Sequence, residues 1–185
     1  MKWFIWSQSF AMMAASVSFP FYLLFIQNIG RSFTSFGFAY GLFTLSAAVC
    51  HLFIGRLADR IGGGKLLVVY SFGMSLLFLF IPVMDSIIEV YIIQVVLGLL
   101  GALQKTSEKI VISDVTERKK KGVIIGNYHF CTSLLASAAV MGTGFLIDYF
   151  TITIIFYGCS IFFLLSGLIL VHHGSMFNQS VAKES

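Results

Sequence analysis

Apolar residues fall into six long runs separated by short polar gaps, and this alternation sets the architecture before any motif is considered. A helix needs about 20 apolar residues to cross about 30 Å of hydrocarbon, and each run is close to that length. The pattern therefore predicts an all-α membrane protein with six transmembrane helices, at about residues 3–27, 35–54, 66–84, 91–112, 123–147 and 151–171. These make one domain over residues 1–172, and residues 173–185 read as a polar tail. The run after Lys2 continues to Ile29, longer than the apolar core of a signal peptide at about 7–15 residues, so it reads as a retained first helix.

Polar and small residues inside the runs are periodic. On the first helix Gln8, Ala11, Ala15, Ser18 and Tyr22 recur in steps of three and four, a stripe suited to close packing against other helices. Trp3 and Trp6 suit the membrane interface, and Pro20 is expected to bend the helix. On the fourth helix Gln94, Gly98, Gly101, Lys105 and Glu108 share one face. Gln94, Gly98 and Gly101 are candidates to line a cavity; Lys105 and Glu108 lie in the last turns, where they can reach the interface and pair at i, i+3. The fifth helix carries Gly122, Gly126, Ser133, Ser137, Gly142 and Gly144, small enough for a neighbouring backbone to come close. His51 reads as a packed, hydrogen-bonded side chain rather than a proton relay.

Composition narrows the function classes. The chain is 58% hydrophobic and 11% charged, whereas soluble domains carry about 25% charged residues. The net charge of +4 is no nucleic-acid footprint, because the inside segments of this topology together with the inside end of the fourth helix hold eleven of the 12 Lys and Arg residues and the outside segments only Arg31. That asymmetry predicts a multi-pass protein of the cell membrane with both termini cytoplasmic, its partner the lipid bilayer. Arg118, Lys119, Lys120 and Lys121 act as an anchor near anionic headgroups. Cys50, Cys131 and Cys159 fall within helices without paired spacing and read as packing residues. No H-E-x-x-H, G-x-S-x-G or phosphate-loop pattern occurs, so no enzyme activity, catalytic residue, metal or cofactor is expected.

The segment 55–65 concentrates charge and glycine between the second and third helices. Gly55 and Gly62 permit a tight turn, Asp59 can face a helix N-terminus, and Arg60 and Lys65 can meet carboxylates or headgroups. Gly55, Leu57, Ala58, Asp59, Arg60 and Gly62 match, position by position, the loop G-x-L-A-D-R-x-G-R-K, and the segment thus resembles the signature loop of the major facilitator superfamily. Gly63 and Gly64 replace its last basic residues, with Lys65 one place further on. Asp114, Arg118, Gly122 and Gly126 are similar to the family's loop between the fourth and fifth helices, with Asp114 the candidate partner of Lys65 or Arg60.

The resemblance implies that Gly55, Asp59, Arg60, Gly62 and Lys65 form a latch between two six-helix halves of a solute transporter. Two features depart from its proton-coupled branches: Gln94 stands where many members carry Arg, and Ala139 and Val140 stand where drug antiporters carry Gly-Pro. With six helices, this chain corresponds to one half. The expectation is a half-size secondary transporter subunit that pairs with a second six-helix half, as a homodimer or heterodimer, and moves an unknown small-molecule substrate. The alternative is a truncated or split-gene half that is non-transporting or an accessory membrane protein.

Overall fold

The computed structural model describes residues 2–30, 32–114, 121–147 and 149–181. The expectations for Arg31, Arg118, Lys119 and Lys120 fall outside the described residues. Six helices dominate: α1 (Lys2–Gly30), α2 (Phe33–Ile61), α3 (Gly63–Phe80), α4 (Ile87–Asp114), α5 (Lys121–Leu146) and α6 (Ile152–Val181). No strand occurs among the described residues. All six are long and apolar enough to cross a membrane, and in hydrocarbon a helix satisfies its own backbone polar groups.

The helices outrun the apolar stretches that predict them. α2 continues beyond residue 54 to Ile61 because Arg56, Leu57, Ala58 and Arg60 are good helix formers, and arginine stems carry their heads out to water. The predicted hinge at 55–65 thereby contracts to Gly62, which has φ +91°. α6 likewise continues to Val181, through residues read as a tail. Pro20 sits within α1 without ending it, whereas Pro82 lies in the short 3₁₀ turn Ile81–Val83 that follows α3. At the start of α4, the Glu89 carboxylate accepts the backbone N–H of Asp85 at 3.2 Å and of Ser86 at 3.3 Å. An acidic side chain there satisfies free amides at the positive end of the helix.

α2 packs on α4, α4 on α3, α3 on α6, α6 on α1 and α1 on α5. The α3–α6 seam is aromatic: Phe78 and Phe163 lie 5.3 Å apart, and Tyr70 meets Phe163 edge-on at 5.8 Å. Gly167 leaves room for the Phe72 ring, which would lie 3.1 Å from an added Cβ. Serines join the same helices. Ser166 Oγ is hydrogen-bonded to Ser7 Oγ at 2.9 Å and to Ser71 Oγ at 3.1 Å, and Ser160 Oγ donates to the Ser75 carbonyl at 2.7 Å. Such hydroxyls in an apolar bundle need protein partners, and here they tie α1 and α3 to α6. On α1, Gln8, Ala11 and Ser18 are buried, so the small and polar stripe does pack inside the bundle.

Trp3 stacks on His173 at 4.0 Å, which brings the start of α1 and the end of α6 to the same end of the bundle, as an even helix count requires. Burial is uneven. In the most apolar stretch of each helix 44% of residues are buried in α3 and α6, but only 11% in α2 and 17% in α5.

Candidate functional site

The loop joining α2 to α3 is the tightest turn among the described residues. Its backbone N–H at Gly62 donates to the Ala58 carbonyl at 2.8 Å, closing α2, and α3 begins at the next residue. Gly63 is buried against α4: an added Cβ would lie 3.0 Å from the Ser107 carbonyl oxygen and 3.2 Å from a Val111 methyl group. The turn therefore needs glycine twice, at Gly62 for its backbone and at Gly63 for its proximity to α4. Gly55 is an interior residue of α2 and takes no part in the turn.

Because Gly62 has open space around it, its substitution isolates backbone strain. Gly62→Ala is expected to destabilise the protein by about 1–2 kcal/mol. Gly55→Ala, in a helix and also unhindered, is expected to be neutral or stabilising by up to about 1 kcal/mol. Thermal unfolding in detergent distinguishes them, and equal shifts would refute the assignment of the turn to Gly62.

The charges of this loop point outward. Asp59, Arg60 and Lys65 are exposed, and no side chain caps the N-terminus of α3. Asp59 therefore does not cap its own chain's next helix, and it sits in the last turn of α2, where the helix dipole disfavours an anion. Asp114 is exposed at the end of α4, and neither it nor Asp59 is in an ion pair among the described residues.

The polar face of α4 divides between neighbours. Gln94 is 4% exposed and Gly98 is buried. A Cβ on Gly98 would collide with Ser46 Oγ and the Phe43 carbonyl of α2, and one on Gly101 would lie 3.6 Å from the Phe43 ring. The two glycines thus form a helix-packing surface against α2. Further along α4, His51 Nδ1 and Thr106 Oγ1 are 3.0 Å apart, so His51 is hydrogen-bonded, as its position suggested.

Glu108 does not pair with Lys105. Its Oε1 accepts the Tyr128 hydroxyl of α5 at 2.7 Å and its Oε2 accepts Gln104 Nε2 at 3.1 Å. The same Gln104 nitrogen approaches Met12 Sδ of α1 at 3.7 Å, and Tyr128, 1% exposed, stacks on Phe4 of α1 at 5.6 Å. A carboxylate is thus held where α1, α4 and α5 meet. Tyr128 escaped sequence reading. The Gln104 and Glu108 spacing of i, i+4 was a readable signal for their contact.

Two open recesses adjoin these elements. One, of about 510 Å³, lies between α2 and α4 with apolar walls including Phe53, Leu99 and Leu103, and with Arg56 and Arg60. The other, of about 340 Å³, lies between α4 and α5 and includes Lys105, Lys109 and His129.

Comparison with known proteins places this arrangement. The sequence profile of the Major Facilitator Superfamily matches residues 4–177. The chain is 48% identical over 161 residues to the uncharacterized MFS-type transporter YitZ of Bacillus subtilis, an alignment covering 87% of this chain and 98% of YitZ. It is 26% identical over 152 residues to the multidrug resistance protein MdtG of Klebsiella pneumoniae, covering 78% of this chain but only 36% of that relative. The MdtG of Salmonella arizonae is also 26% identical, over 149 residues and 37% of its length.

Proposed function

The chain belongs to the major facilitator superfamily, and from that premise we propose that it is a half-size secondary transporter subunit of the cell membrane, with both termini cytoplasmic. It moves a small solute by alternating access after pairing with a second six-helix half, a second copy or another chain.

The observation that carries this reading is the open surface of α2 and α5. An added Cβ at Gly37, Gly41 or Gly55 of α2, or at Gly122, Gly126, Gly142 or Gly144 of α5, would meet nothing within 4 Å. Small residues on a membrane helix favour close approach of another backbone, and these faces have none from the described residues of their own chain. The glycines of α3 and α4 that pack inside the bundle behave differently, with neighbours at Gly63, Gly73 and Gly98.

Asp59 supplies the polar side of the same argument. An anion at the C-terminal end of α2 is stabilised by the positive end of another helix, and the start of a partner's α5, near Gly122, offers one. In a twofold dimer that contact forms twice.

With the native cysteines replaced, cysteines introduced at positions 59 and 122 are expected to crosslink between chains. Crosslinks confined to single chains at every detergent concentration would overturn the pairing. In proteoliposomes, Asp59→Ala is expected to abolish solute flux while leaving insertion unchanged. Undiminished flux would remove the latch role.

A further inference from the structure

Lys105 and Lys109 stand one turn apart and exposed on α4. They line the groove of about 340 Å³ together with Ile125 and His129 of α5. Glu108 also borders it, but each of its oxygens already accepts a hydrogen bond, from Tyr128 and from Gln104. Neither lysine forms an ion pair among the described residues. Two ammonium groups at i, i+4 repel one another, and an anion between them removes that penalty.

Depth and wall chemistry narrow the anion. At 1.5 Å per residue, Lys109 and Lys105 lie about 8 and about 14 Å along the axis from the end of α4, within reach of headgroup level for a lysine stem. Ile112 and Ile125 add apolar wall beside the cations. A free inorganic anion has no use for such a wall, whereas the glycerol and first methylenes of a phospholipid do. Basic recesses between membrane helices at the positive side are suited to anionic headgroups.

We propose that this groove binds the phosphate of an anionic phospholipid, with Lys105 and Lys109 as ammonium donors, His129 as a further hydrogen-bond donor, and Ile112 and Ile125 against the glycerol. The site joins α4 to α5 through the lipid, and it requires neither the pairing nor the transport reading.

The test is titration of the full chain in detergent with phosphatidylglycerol or phosphatidylcholine, read by native mass spectrometry as bound lipid per chain. Phosphatidylglycerol is expected to bind about tenfold more tightly than phosphatidylcholine, and the K105Q/K109Q variant to lose about that preference. The K105R/K109R variant is expected to retain it. If the double glutamine variant does not fold, K105Q and K109Q singly are each expected to lose part of the preference. Equal affinity for the two lipids, or a full preference in the glutamine variants, would overturn the site. Displacement of phosphatidylglycerol by millimolar inorganic phosphate would assign the groove to a free anion and overturn the lipid assignment.

Discussion

Gly98→Ala is expected to lower the unfolding free energy by about 3 kcal/mol, the upper end of the usual overpacking range. The reason is what the new methyl group meets. Besides Ser46 Oγ, it runs into the Phe43 carbonyl, with the Ala47 backbone nitrogen at 3.1 Å. A flexible side chain can rotate away, but backbone atoms of α2 move only if the helix moves. Ser46 itself is tied to the Phe43 carbonyl at 3.0 Å, so its hydroxyl cannot leave without losing a partner. Separation of α2 from α4 would then uncover both helices along their contact.

Gly101→Ala provides the control, because its nearest neighbour is the Phe43 ring at 3.6 Å, an ordinary contact. It is expected to change stability by less than about 1 kcal/mol, with the helix propensity gain working in its favour. Unfolding of both variants in the same detergent checks the order. A Gly98→Ala chain as stable as the parent would refute the close α2–α4 approach.

Glu108→Ala is expected to destabilise by about 3 kcal/mol, because it strands the hydroxyl of Tyr128 at a position that is 1% exposed. A buried donor without a partner costs about 1–3 kcal/mol, and the lost bonds to a carboxylate are stronger than neutral ones. Tyr128→Phe removes the donor and leaves Glu108 with Gln104, so about 1.5 kcal/mol is expected. The double variant should therefore be less harmful than the sum, with a coupling of about 1–2 kcal/mol in a double-mutant cycle. Lys105→Gln should shift stability by less than about 0.5 kcal/mol, as befits an exposed side chain without an ion pair among the described residues. A strong Lys105 effect with no coupling between Glu108 and Tyr128 would instead favour the i, i+3 pair.

The contrast between these residues explains how far the candidate site was legible. The signature loop was readable because it is local: six matched positions, charge and glycine lie within one stretch. Its shape was less so. The run of charge suggested a hinge across 55–65, yet helix propensity carried α2 to Ile61 and left the reversal to Gly62 alone. Glu108 had a local candidate partner at Lys105, and its actual partner Tyr128 comes from another helix. Polar contacts between helices depend on rotation and crossing, which no spacing within one helix records.

Glycine makes the same point more sharply. Gly98 and Gly126 are both small residues on a membrane helix, and the sequence marks the first as a candidate cavity lining and the second as a position of close packing. In the fold Gly98 presses on the backbone of α2, while a Cβ added at Gly126 would meet nothing within 4 Å. The absent side chain signals room for a neighbour, but not whether its own chain supplies one.

Sequence alone determined the number of helices, the even topology and the family, because hydrocarbon admits only segments that satisfy their own backbone and because the signature loop is continuous. The tertiary structure decided which faces are closed, what Glu108 is hydrogen-bonded to and where the reversal between α2 and α3 falls. Hydrophobicity and its period belong to a single helix, whereas burial, clash and hydrogen bonding belong to pairs of helices, and only the packing order from α2 through α4, α3, α6 and α1 to α5 establishes those pairs.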